Sequence, residues 1–202
     1  MTTTVAAGLL VVRLAVGLTM AAHGYAKVFR GGRLAGTARW FESIGMRPGR
    51  LHAPLAALTE IGGGVLFACG LLTPLAAAAI VALMLVAAWT VHRKNGFFIV
   101  GNGWEYNFIL AVVAVGVAVT GAGTLSLDDA TGLRTLDGGW PGLLIAVGAG
   151  LGGGIGQLAM FFRPPAPAPV PAPAPAATSA ERRASRGQNQ GAASRRSPRS
   201  HV

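Results

Sequence analysis

The feature that most constrains this chain is its first apolar stretch, residues 5–28, which is long enough to cross a bilayer yet carries Arg13, His23 and Lys27. A spanning helix needs about 20 predominantly apolar residues. A charged side chain at the centre of such a helix costs roughly 2.5–3.5 kcal/mol on insertion scales. Residues of this kind face the bundle interior and find partners there, so the rest of the chain has to supply those partners.

Four further apolar stretches follow, at residues 53–72, 74–92, 105–121 and 140–162. Hydrophobic residues make up 52% of the 202 and charged residues only 12%, against about a quarter charged in ordinary soluble domains. The expected fold is therefore all-α, a polytopic membrane helix bundle. Thr73-Pro74 is expected to turn the second stretch into the third, since proline fits the first turn of a helix. The N-terminus has no basic leader and reads as an uncleaved first span rather than a signal peptide. The single cysteine, Cys69, excludes an intramolecular disulfide and a Cys-x-x-Cys redox pair.

The net charge of +10 raises nucleic acid as a partner, but its placement argues against that. Lys27, Arg30, Arg33, Arg39, Arg47 and Arg50 lie between the first two stretches, and Arg93 and Lys94 lie between the third and fourth. Arg163 and the tail after it carry seven more arginines, whereas the leader and the turn at Thr73 carry none. This alternation predicts a multi-pass plasma-membrane protein with its N-terminus outside and its tail cytoplasmic. The lipid bilayer is then the first partner. Residues 164–175 alternate proline with alanine or valine, and an Arg-, Ser- and Gln-rich end follows; 164–202 is expected to be disordered. Gly148, Gly150, Gly152, Gly154 and Gly156 give the fifth stretch small-xxx-small spacing, which serves packing within the chain or a homo-oligomer. Gly62-Gly63-Gly64 lies mid-span and reads as a close-packing site.

Placed by depth, His23, Glu60, His92, Glu105 and Tyr106 fall in one leaflet, with Trp89 and Trp104 at the same level. Arg13, Gly17, Met20, Gly24 and Lys27 share one face of the first helix. Two readings stay open. In one, Arg13 or Lys27 pairs with Glu60, Glu105 caps a helix start and the histidines bond locally. In the other, the cluster binds a polar head group such as a quinone and handles its protons. A metal site from His23, Glu60, His92 and Glu105 is disfavoured, because no helix presents the paired ligand spacing of diiron bundles.

Four groups of residues then resemble the DoxX family. They are Arg13-x3-Gly17-x5-His23-Gly24-x2-Lys27; Glu60-x-Gly62-Gly63-x2-Leu66-x3-Gly70-x2-Thr73-Pro74; Gly103-Trp104-Glu105-Tyr106-Asn107; and Gly121-x-Gly123-x2-Ser126-Leu127-Asp128. The resemblance implies a four-helix membrane core over 1–130, to which this chain adds a fifth helix over 131–163 and the tail 164–202. It also implies a membrane subunit of a redox system, at most a quinone-linked oxidoreductase subunit, with soluble redox proteins as partners at the cytoplasmic face. On that reading Glu60 and Glu105 are the candidate proton-handling groups. His23, His92, Tyr106 and Trp104 are the candidate head-group contacts, and Arg13 and Lys27 the counter-charges. No metal is expected, and quinone is the candidate cofactor. A non-enzymatic scaffold that recruits soluble partners and a small-solute permease are the alternatives.

Overall fold

The computed structural model describes residues 2–133 and 138–165. The first stretch forms α1 (Thr3–Phe29), whose start is capped by the Thr2 hydroxyl accepting from the Val5 amide. A short helix, α2 (Arg33–Ser43), follows, then α3 (Gly49–Cys69) and α4 (Thr73–Ala87). A π-turn over Ala88–His92 and a 3₁₀ turn over Arg93–Asn95 extend α4, and α5 (Glu105–Thr120) comes next. After the one-turn α6 (Leu127–Ala130), a last apolar helix is built from α7 (Gly139–Leu144), a π-turn over Ile145–Ala149 and α8 (Gly150–Phe161).

Thr3–Phe29, Gly49–Cys69, Thr73–Asn95 and Gly139–Phe161 are each long and apolar enough to cross a membrane, whereas α5 has only 16 residues. The described residues contain no strand, and the fold is an all-α membrane bundle. Its outer face is apolar: Leu58, Leu144 and Trp140 are each at least two-thirds exposed, as a lipid-facing surface requires. The expected tail lies, apart from its first two residues, outside the described residues.

Small residues decide which helices touch. Gly17 and Gly64 place the backbones of α1 and α3 against each other, and a Cβ on either would strike the other's carbonyl oxygen. The outward-turned neighbour Gly62 touches nothing, so close packing rests on Gly64 rather than on the whole glycine triplet. The alanine-rich α4 is the central helix, meeting α3 on one side and α5 and α8 on others. The core between them holds Met20, Phe67, Ile80, Met84 and Ala114. The last helix is peripheral, with 17% of its span buried against 50% for that of α4.

The stretch between α1 and α3, read from sequence as a basic loop, contains α2. Leu34, Ala38 and Phe41 recur at helical spacing and pack with Met46, Ala53 and Val86 into a second apolar cluster. Its opposite face keeps Arg33 and Arg39 exposed. The turn after α2 is tied to the end of α8 by an isolated antiparallel bridge between Met46 and Phe162. There the Arg47 amide donates to the Phe161 carbonyl (3.1 Å) and the Arg163 amide to the Gly45 carbonyl (2.7 Å).

Candidate functional site

The charged end of α1 meets its partner on α3. Lys27 Nζ, in the last turn of α1, donates to both carboxylate oxygens of Glu60 at 2.7 and 2.6 Å. The two side chains are 22% and 10% exposed. Gly24, one turn earlier, lets α1 close on Ala57 and Glu60. The ion pair lines a cavity of about 90 Å³ together with Trp40 and Phe41 of α2 and Thr90 of the π-turn. π-turns interrupt a helix's regular bonding and are frequent at functional sites. Here the turn puts Thr90 at the cavity, with its hydroxyl donating to the Val86 carbonyl at 2.8 Å. A second cavity, of about 200 Å³, shares Phe41, Ala56, Leu83 and Val86 with the first and adds Thr59 and Gln157.

The other residues expected in this leaflet are distributed differently. His23 is exposed on α1, within electrostatic reach of Glu60. His92 Nδ1 bonds the Asn102 carbonyl at 2.8 Å, which Asn95 Nδ2 also reaches. Glu105 Oε2 accepts from the Ile99 amide at 2.9 Å, closing the turn between α4 and α5. Trp104 packs edge-on against Phe97 and Phe108. Tyr106 is 41% exposed. Glu60 and Lys27 are thus in direct contact, whereas Glu105 and His92 bond locally in the α4–α5 connection. Among the described residues no three of His, Cys, Asp and Glu gather as metal ligands would.

One buried polar group escaped the sequence reading, and another entered it only as a member of a motif. His52 is 1% exposed, and its Nδ1 bonds Gln157 Nε2 at 3.1 Å, coupling α3 to α8. Asn107, 6% exposed, lies beside Met84 and lines a cavity of about 190 Å³ with Trp104 and Phe108. In the sequence Asn107 stands only as the last residue of the Gly103–Asn107 motif, with no role. His52 stands just before an apolar run and carried no motif.

Arg13 is at the opposite end of the bundle. It is fully buried, its Nη2 donates to the Leu125 carbonyl, and its guanidinium lies against Gly70. Gly70 has φ +63°, and any side chain there would occupy the space of the guanidinium. Asp128, 1% exposed, accepts from the Leu72 amide (2.7 Å), the Thr73 amide (3.0 Å) and the Thr73 hydroxyl (2.7 Å). These carboxylate bonds satisfy the first amides of α4, which a helix start otherwise leaves open. Asp128, Thr73 and Gly70 therefore form a structural lock on the α3–α4 turn, remote from the Glu60 cavity.

Residues 8–93 match the family model of DoxX. Over this segment, a little under half of the chain, the sequence is similar to the DoxX family. The DoxX match runs from α1 to the end of the π-turn after α4, so it contains Lys27, Glu60, Trp40 and Thr90. Glu105, Tyr106, Asp128 and Gln157 lie beyond it. No curated protein and no solved structure matches this chain significantly. The glycines of its last helix divide by face. Gly150 and Gly154 pack on Val81 and Leu85 of α4, whereas Gly148, Gly152 and Gly156 meet nothing within 4 Å.

Proposed function

We propose that this chain is an integral membrane subunit of a redox system and that it docks a quinone head group at the Lys27–Glu60 cavity. The observation that carries the reading is a carboxylate–ammonium pair inside the span region, walled by aromatic side chains. A quinone ring needs a hydrogen-bond donor for its carbonyl, a proton-handling group and flat apolar walls. Lys27, Glu60 and Trp40 with Phe41 match those needs. The two adjoining cavities together approach the roughly 300 Å³ at which small-molecule sites begin, and Phe41 is part of the wall between them.

When bound, a quinone supplies two-electron, two-proton chemistry. The chain's own part is to orient the ring with Lys27, hold or release a proton at Glu60, and exclude water with Trp40 and Phe41. The exposed basic groups of this end, Arg30, Arg33, Arg39, Arg47 and Arg50, favour a cytoplasmic location for it in the plasma membrane, with the N-terminus outside. The same surface suits a soluble redox partner. If the protein is instead a scaffold, deleting residues 164–202 abolishes partner capture while Glu60 variants behave normally.

The test is titration of the purified protein with a short-chain benzoquinone or naphthoquinone, read by tryptophan quenching. Wild type quenches saturably, Trp40→Phe loses most of the signal, and Lys27→Gln and Glu60→Gln bind about tenfold more weakly, as expected for losing one charge-assisted hydrogen bond. Equal affinity in wild type and both charge variants overturns the assignment.

A further inference from the structure

A second polar feature lies on the far side of Thr90 from Glu60. The π-turn carries Trp89 away from the ion pair, and Trp89, Thr90, Arg93 and Lys94 line a cavity of about 250 Å³. Ser43 at the end of α2 and Phe162 after α8 complete it. None of the lining residues is acidic. Among the described residues neither Arg93 nor Lys94 has a carboxylate partner. Glu42, the acid nearest in sequence, is engaged elsewhere: it accepts from the Gly49 amide at 2.6 Å and faces Arg47 at 3.7 Å.

The cationic groups are partly organised in advance. The Arg93 guanidinium lies 4.2 Å from the centre of the Trp89 ring. Stacking fixes the plane of the guanidinium and leaves its in-plane N–H donors available, the arrangement that grips two oxygens of one phosphate. Lys94 adds a mobile point charge. The hydroxyl protons of Ser43 and Thr90 are committed to the Trp40 and Val86 carbonyls, so Arg93 and Lys94 carry the recognition.

The depth of the cavity comes from a separate observation. Immediately after Lys94 the chain exposes four consecutive apolar side chains, Phe97, Phe98, Ile99 and Val100, the last of them 98% exposed. An apolar turn of this kind on a membrane protein belongs in the bilayer, and Trp89 is of the residue class that concentrates at the interface. Arg93 and Lys94 end the span Thr73–Asn95, at the level of the phosphates. Basic pockets between spanning helices are recognised binding places for anionic lipid head groups.

We propose that the cavity between α2, the π-turn after α4 and the end of α8 binds a phosphate group, and that this phosphate belongs to an anionic phospholipid. The lipid head group sits on Arg93 and Lys94, and its chains follow the apolar surface of Phe97 and Phe98. This site is distinct from the Lys27–Glu60 cavity and does not depend on quinone binding.

The test uses the full chain in nanodiscs and in mild detergent, with bound lipid counted by native mass spectrometry. Wild type is expected to retain phosphatidylglycerol over phosphatidylcholine. Arg93→Gln/Lys94→Gln is expected to lose that preference by about tenfold, with its thermal midpoint preserved. Arg30→Gln/Arg33→Gln removes the same charge outside the cavity and is expected to keep the preference. Equal loss in both double variants means general surface charge and overturns the site. Millimolar inorganic phosphate is the second arm. If it binds through Arg93 and Lys94 while phosphatidylglycerol is not preferred, the lipid assignment is overturned. If the Arg93/Lys94 variant fails to fold, Trp89→Leu with Lys94→Gln removes the stacking platform and one charge in its place. An unchanged lipid preference there also overturns the proposal.

Discussion

Removing Lys27 is expected to destabilise the protein far more than removing the charge of Glu60, because the two partners of this ion pair have different escape routes. With the charges about 3 Å apart and an effective dielectric near 20, their attraction is roughly 5 kcal/mol. Desolvating each ion costs several kcal/mol, so the pair as a whole is near break-even. Truncating one partner is a different matter. Lys27→Met leaves Glu60, 10% exposed and in the middle of α3, without its counter-charge, at a cost of about 3–5 kcal/mol. Glu60→Gln leaves Lys27 in the last turn of α1, where its flexible stem can carry the ammonium to the interface. That variant loses about 1–2 kcal/mol, the value of a charged hydrogen bond. The double variant Lys27→Met/Glu60→Leu replaces the pair by apolar volume and is expected within about 1 kcal/mol of wild type. Unfolding in mixed micelles by SDS titration, followed by helical circular dichroism, gives all four stabilities. Additive single effects, or a Glu60→Gln cost equal to that of Lys27→Met, would refute the reasoning.

The same assay reads three further predictions. Asp128→Ala removes three bonds to the start of α4 and is expected to cost about 3–5 kcal/mol, while Asp128→Asn, which keeps one acceptor for Thr73, costs about 1–2 kcal/mol. Gly64→Ala forces α1 and α3 apart at Gly17 and is expected to lose at least about 2 kcal/mol, whereas Gly62→Ala gains up to about 1 kcal/mol of helix propensity because nothing opposes its methyl. Gly150→Val separates α8 from α4 and lowers stability, whereas Gly152→Val leaves stability unchanged; a shift to smaller particles for Gly152→Val alone in size-exclusion chromatography identifies that face as an oligomer contact.

Much of the fold was legible because hydropathy and small-residue spacing act locally. The five apolar stretches became five apolar helices, four of them long enough to cross a membrane, and the face of α1 bearing Arg13, Gly17, Met20, Gly24 and Lys27 is the face that meets the bundle. Arg13 and Lys27 were both open as partners of Glu60, and the close approach of α1 to α3 at Gly24 brings Lys27 to it. The depth of a residue can be read from its position in a span, but its azimuth around the bundle cannot. His92 and Glu105 share a level with Glu60 and yet turn into the α4–α5 connection. α2 was hidden by its arginines, although Leu34, Ala38 and Phe41 carried its period. Asp128 entered the sequence analysis only as the last residue of the Gly121–Asp128 motif, with no role. Its role depends on a contact across 55 residues of chain to Thr73, for which no local pattern exists.

The pairing of Met46 with Phe162 has a consequence for the order in which the protein is assembled. The turn after α2 leaves the ribosome well over a hundred residues before the strand-like partner it bonds. Until the last helix has inserted, the Gly45 carbonyl and the Arg47 amide have no backbone partner there, and the apolar cluster around α2 lacks Leu158, Phe161 and Phe162. The surface helix that walls the Glu60 cavity is thus completed by the final membrane segment. A chain truncated before residue 139 would keep the packing of α2 on α3 and α4 but lose the backbone tie between the turn after α2 and the end of α8.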